Sequence, residues 1–186
     1  MEEETGNKRE KTRRKVYKLP DKDRLMRSAV AYLERYSSSS ENLRRVMERK
    51  VARAARAHDR EPVEFSDIVA ATVERCIAIG LVDDTAYAET KASSLRRRGT
   101  SRRQIEAKLA AKGIGKPLID RVLAADDTDE TEAARRFARR RRLGPWRTRG
   151  SRDDYRERDM AALCRAGFGF DTAREVIGGS RDPEEC

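Results

Sequence analysis

The amino-acid sequence predicts an all-α fold, an elongated tandem array of three three-helix modules with the first module expanded, and three observations carry that expectation. Apolar residues recur at three- and four-residue spacing, the period of an amphipathic helix and not the alternation of a half-buried strand. A segment repeats: Leu109, Gly113, Ile114, Val122 and Leu123 return 54 positions later as Leu163, Gly167, Phe168, Val176 and Ile177, which reads as a helix, glycine turn, helix unit used more than once. The composition agrees, because 41% charged residues with only 5% aromatics suits solvated helices with one apolar stripe each and argues against a β-rich chain.

Residues 1–20 are polar and charge-dense, carry a basic run from Lys8 to Lys18 and end at Pro20, as a flexible basic arm would. The first module is expected over residues 21–80. Its first helix runs from Asp21 to Tyr36 on Leu25, Ala29, Tyr32 and Leu33, and the serines at 37–40 offer N-caps for a second. Leu43, Val46 and Met47 carry that helix to Ala57, Pro62 ends any continuation, and Ile68, Val69, Val73 and Ile77 mark a third helix closed by Gly80. The segment from Arg53 to Phe65 is expanded, with no glycine turn of the kind at Gly113 and Gly167.

The second module, residues 81–125, opens on Asp83 and Asp84, whose carboxylates can satisfy orphan N–H groups at a helix start; Tyr87, Ala88, Lys91 and Leu95 then lead to Gly99. Ser101 and Gln104 have capping-box spacing, Ile105 and Leu109 define the buried face of the short helix after them, and Gly113 suits a left-handed C-terminal turn. Pro117 belongs in a first helical turn, where its missing N–H costs little, ahead of the stripe Leu118, Ile119, Val122 and Leu123. The third module, residues 126–178, begins with Asp126, Asp127, Asp129, Glu130 and Glu132. Acids early and arginines late complement the dipole of the helix that packs through Ala133, Ala134, Phe137 and Ala138 and ends before Gly144. Met160 and Leu163 precede Gly167, Ala173, Val176 and Ile177 follow it, and residues 179–186 read as a frayed tail.

The 43 Lys and Arg against 33 Asp and Glu give a formal net charge of +10, which favours polyanions or acidic protein surfaces as partners. From Arg135 to Arg158 there are 11 arginines against three carboxylates. Arg139, Arg140, Arg141 and Arg142 are successive around a helix, so they cannot all face one row of phosphates. A second cluster, Arg96, Arg97, Arg98, Arg102 and Arg103, straddles Gly99. Guanidinium groups suit bidentate contact with phosphate or carboxylate, and the same runs also work as solvated helix faces. Trp146, beside Arg147 and Arg149, can stack on a base, bury at a protein interface, or lock its own loop onto the third module. These residues make up the candidate contact surface.

No reaction centre is expected. His58, the only histidine, sits beside Asp59 in a polar stretch with no nucleophile constellation. Cys76, Cys164 and Cys186 are far apart and odd in number, which suits neither a zinc knuckle nor a disulfide framework. Gly144, Gly150 and Gly167 are isolated, so no phosphate loop is present, and the acidic segment lacks the glycine and ordered ligands of a calcium loop. Catalytic, metal and cofactor residues are all expected to be absent. A helix-turn-helix reading of Ser101 to Ala111 with Lys116 to Ala124 puts Pro117, Leu118 and Ile119 on the recognition helix, where they offer few base-reading groups. With no apolar N-terminal signal and no 18-residue apolar run, a cytoplasmic protein without a membrane partner is expected.

The run from Gly80 to Ala88, Gly-Leu-Val-Asp-Asp-Thr-Ala-Tyr-Ala, resembles the RecX family of bacterial recombination regulators. The likeness continues through Arg98-Gly99, Ser101-Arg-Arg-Gln-Ile105, Leu109 and Lys112-Gly113-Ile114. It then takes in Arg139-Arg-Arg-Arg-Leu-Gly-Pro-Trp146 and Arg165-Ala-Gly-Phe168, so that it covers roughly residues 25–177. The resemblance implies a curved, elongated array of three-helix modules that binds a RecA-type recombinase and its filament on single-stranded DNA, and a monomer is expected. Lying in the filament groove, such proteins suppress ATP hydrolysis, strand exchange and co-protease activity, and some also bind DNA directly. A non-specific DNA-binding helical protein is the alternative reading.

Overall fold

The computed structural model describes residues 17–180, so most of the expected arm (1–16) and the end of the expected tail (181–186, with Cys186) lie outside the described residues. Among the described residues there are nine α-helices, two short 3-10 helices and no strand. Their apolar stripes gather into three separate cores, one per group of three helices.

The first group holds α1 (Lys22–Leu33), α2 (Ser40–Arg56), a 3-10 helix (Pro62–Phe65) and α3 (Ser66–Ala78). Asp21 caps α1 by accepting from the Arg24 N–H at 2.8 Å, and of the serine run it is Ser39 that caps α2. Leu25, Ala29, Leu43, Met47, Val69 and Val73 fill the core. Two expectations change here. Helix α1 stops at Leu33 and leaves Tyr36 outside it; Ile77 is 47% exposed because Cys76, one residue earlier, takes the core position after Val73.

The second group is α4 (Asp84–Arg97), α5 (Arg102–Ala110) and α6 (Lys116–Ala124); the third is α7 (Glu130–Arg141), a 3-10 helix (Gly144–Trp146), α8 (Arg152–Arg165) and α9 (Phe170–Gly178). Ile105, Leu109, Ile119 and Val122 are buried as their spacing predicts, while Leu118 is only partly so. The 54-residue echo is a repeated helix C-terminus. Gly113 (φ +79°) and Gly167 (φ +87°) hold left-handed turns, and the N–H of the next residue, Ile114 or Phe168, donates to Leu109 O or Leu163 O at 3.2 Å. The first group has the same turn, contrary to the sequence expectation. Asp59, 54 positions before Gly113, adopts φ 52°, and the Arg60 N–H donates to Ala55 O at 3.0 Å. Aspartate is among the few side chains that tolerate this conformation, so the missing glycine did not remove the turn.

Neighbouring groups meet through one joint, built twice. The N-cap serine of the second helix in one group donates its hydroxyl to a carbonyl at the end of the second helix in the next: Ser39 Oγ to Lys112 O at 2.5 Å, and Ser101 Oγ to Ala166 O at 2.7 Å. Both serines are 0% exposed, and each also accepts from the backbone N–H three residues on, Asn42 at 3.2 Å and Gln104 at 3.3 Å. The residue after each serine is held by an acid at the start of the next group's first helix. Ser40 N–H donates to Asp84 at 2.7 Å and Arg102 N–H to Glu130 at 3.2 Å. Orphan donors at a helix N-terminus are thus satisfied across the joint. Only Asp83 caps its own helix α4, accepting from Thr85 and Ala86 N–H, whereas Asp84 serves α2. Of the expected box at Ser101 and Gln104, the Ser101 half is present, and its hydroxyl hydrogen is used on Ala166.

Candidate basic contact surface

The second joint draws together residues distant in sequence. Gly99, after α4, packs so tightly on α7 that a Cβ there would lie 2.6 Å from Ala133 O and Phe137 N. This approach opens a cleft of about 570 Å³ between α5, α7 and α8. Lys108 and Gln104 line it from α5, Arg140 and Arg141 from α7, and Arg165 from α8, and among the described residues no carboxylate lines it. Its cations are held in part. Arg140 Nη1 donates to Arg98 O at 2.5 Å, and the guanidinium groups of Arg140 and Arg141 lie 5.7 and 5.9 Å from the Phe137 ring centroid. Phe137 is itself fixed edge-on against Phe168, with centroids 5.8 Å apart. Four cations, Lys108, Arg140, Arg141 and Arg165, stand around the half-buried Phe137 and Leu143 and give the cleft a positive field.

Arg97, Arg98, Arg103, Arg139, Arg142 and Arg149 are exposed but do not line this cleft. Arg102 is exposed too, but its guanidinium donates to Leu123 O at the end of α6, where it offsets the helix dipole. Three of the expected contact residues are buried or half-buried. Arg96 is 2% exposed: its guanidinium donates to Asp126 (2.6 Å), Glu130 (2.6 Å), Thr128 O (2.9 Å) and Thr100 O (3.2 Å), and so braces α4 against the acidic segment before α7. Burial alone would push the Asp126 carboxyl up, but hydrogen bonds from Thr128 and the Arg96 guanidinium outweigh it and hold the group below the ordinary carboxylate range. Trp146 is 9% exposed within the third core, so it locks its loop and does not present its ring. Arg147 pairs with the buried Asp159, whose carboxylate also accepts from Gly144 N–H at 2.8 Å, and stacks 4.1 Å from the Tyr155 ring centroid.

Among the described residues no group of three or more His, Cys, Asp or Glu is placed to hold a metal, and no helix is long and apolar enough to cross a membrane. His58 is exposed, with Nε2 2.6 Å from Tyr17 O.

The fold of stacked three-helix groups has counterparts. The model of the second three-helix domain of RecX matches residues 83–123, the segment that forms α4 to α6. A regulatory protein RecX from Myxococcus xanthus is 42% identical over 82% of this chain and 83% of its own length. The chain belongs to the RecX family. A second RecX regulatory protein, from Agrobacterium fabrum, is 29% identical over 81% of this chain and 79% of its own. Two crystal structures share the fold at TM-score 0.60. One, a regulatory protein RecX, is 18% identical and covers 85% of this chain and 72% of its own; the other, RecX from Lactobacillus salivarius, is 19% identical and covers 84% and 94%. In this RecX-family chain, sequence reasoning missed Lys108 and Arg165 at the cleft. Both are lone cations outside any run, and only the Ser101 to Ala166 joint brings them beside Arg140 and Arg141.

Proposed function

We propose that this protein binds a RecA-type recombinase, chiefly as its filament on single-stranded DNA, and restrains ATP turnover, strand exchange and co-protease activity without performing a reaction of its own. It acts as a monomer in the cytoplasm. The observation that supports this most is the cleft of Lys108, Arg140, Arg141 and Arg165, which no carboxylate lines among the described residues, in a chain of the RecX family. A nucleoprotein filament offers both phosphate oxygens and protein carboxylates, so exposed arginines steer the encounter and hold the complex without reading bases. The net charge of +10 equally favours the second reading, a non-specific DNA-binding helical protein with no recombinase contact.

Co-sedimentation with recombinase filaments, set beside binding to bare single-stranded DNA at matched salt, separates the two. The protein is expected to pellet with filaments and lower DNA-dependent ATP turnover while hydrolysing neither ATP nor DNA. Combining Arg140→Gln, Arg141→Gln and Arg165→Gln should weaken filament binding more at low salt than at high, since exposed charges are screened over about 8–10 Å near physiological ionic strength. Failure to bind or inhibit the cognate recombinase across a broad titration refutes the first reading, and DNA binding retained in that experiment selects the second.

A further inference from the structure

One face of α1 and of the turn that follows it carries aromatic rings among cations. Arg24, Arg27 and Arg35 follow one another along the helix and its C-terminal turn, Lys50 joins them from α2, and together with Tyr32 and Tyr36 they border a shallow depression of about 400 Å³. Among the described residues no carboxylate lines it; Asp21 pairs with Arg24 at 3.4 Å from outside, while Arg27, Arg35 and Lys50 are exposed. Tyr36 is 58% exposed, which leaves a ring face open to solvent. The ring is nevertheless braced. It lies 5.2 Å from the half-buried Tyr32 ring, and Tyr32 is anchored by the Asn42 side chain, whose Nδ2 donates to its hydroxyl at 3.1 Å. Holding the ring in place lowers the entropy cost of using it, and a flat π face bordered by cations complements a ligand that alternates flat rings with anions. Single-stranded nucleic acid has that chemistry, whereas an acidic peptide would engage the cations and leave the ring idle.

We propose that Tyr36, braced by Tyr32 and bordered by Arg27, Arg35 and Lys50, is a base-stacking site for single-stranded nucleic acid on the first helical group. The site is separate from the cleft between α5, α7 and α8, and the proposal does not depend on the recombinase reading, since its test contains no recombinase.

The experiment measures binding of the full chain to a fluorescently labelled thymidine 20-mer and to an abasic strand of equal length, across a salt series. Tyr36→Ala is expected to weaken binding to the thymidine strand roughly five- to 150-fold, the effect of removing one stacked base, and to leave the abasic strand unchanged, with Tyr36→Phe near the parent. Arg27→Gln with Arg35→Gln should weaken both strands and reduce the salt slope by about 0.7 per lost phosphate contact. Far-UV circular dichroism confirms that each variant folds, which the exposure of all three side chains favours. The proposal is overturned if Tyr36→Ala leaves thymidine-strand affinity unchanged or weakens both strands equally. It is also overturned if polyglutamate matches the thymidine strand in affinity and Tyr36→Ala affects neither.

Discussion

Gly167→Ala probes the second joint from both sides. At φ +87° an alanine costs roughly 1–2 kcal/mol for left-handed backbone. Its Cβ would also fall 2.6 Å from Ser101 Oγ, and that hydroxyl cannot swing aside without giving up its bond to Ala166 O. Overpacking of this kind adds roughly 1–3 kcal/mol, so the single variant should lose about 2–5 kcal/mol. Ser101→Ala removes an N-cap, worth about 1 kcal/mol, and strands the carbonyl of a residue only 5% exposed, which costs about 1–3 kcal/mol more. In the double variant the hydroxyl is already gone, and the nearest remaining atoms, Arg103 Cβ and Gln104 Cγ, lie at an ordinary 3.5 Å. The double variant should therefore lose about 1–3 kcal/mol less than the sum of the singles. Urea denaturation can be followed by the fluorescence of Trp146, the only tryptophan, which sits in the third core and reports that group, while circular dichroism reports the whole chain. A cycle additive to within about 0.5 kcal/mol would refute the joint as described.

The Arg96 brace makes two further expectations. Arg96→Ala should cost about 3–5 kcal/mol in urea denaturation, because it leaves partly buried Asp126 and Glu130 uncompensated; a loss under about 1 kcal/mol would class the pair with surface bridges. Because the folded-state pKa of Asp126 is depressed, its contribution is complete above the ordinary value of 3.8 and fades as pH falls through the lower folded value, so Asp126→Asn should be less stable than the parent at neutral pH and converge with it on acidification. Parallel stability curves from pH 6 down to about 2 would contradict the sign of that shift. Asp59→Gly should raise stability by about 0.5–1 kcal/mol in the same assay by relieving the left-handed backbone, and an unchanged or lower stability would show that the Asp59 carboxylate compensates its own strain.

The helices and their cores were readable because period and punctuation are local properties. Asp21, Ser39 and Ser101 cap where short polar residues meet an apolar stripe, and Gly113 and Gly167 turn where a left-handed residue is needed. The candidate contact surface was less readable, because a run of arginines does not say which member faces inward. For Arg96 a signal was present: Ala88, Ala92 and Arg96 continue one four-residue stripe on α4, and all three are buried. Arg147 carried no such mark, since its partner Asp159 lies on another helix and is 1% exposed only after α8 packs. Asp59 was missed for the opposite reason. The 54-residue echo does extend to it, but matching residue identity instead of backbone requirement hides an aspartate in a glycine's place.

Net charge therefore describes the candidate contact surface incompletely. Arg96 and Arg147 each count toward +10, yet each is matched by buried or half-buried carboxylates and offers little field to a partner. Lys108 and Arg165 count the same and do face the cleft. What distinguishes the two pairs is the joint, which buries Ser101 and Gly99 and so sets three helix faces around one opening. Loosening the joint would disperse the cations without removing one of them, whereas neutralising Arg96 would change the charge by the same unit as neutralising Arg165 and act through stability instead of contact. The electrostatics of this chain follow from its repeated hydrogen bonds, and the arginine count alone does not give them.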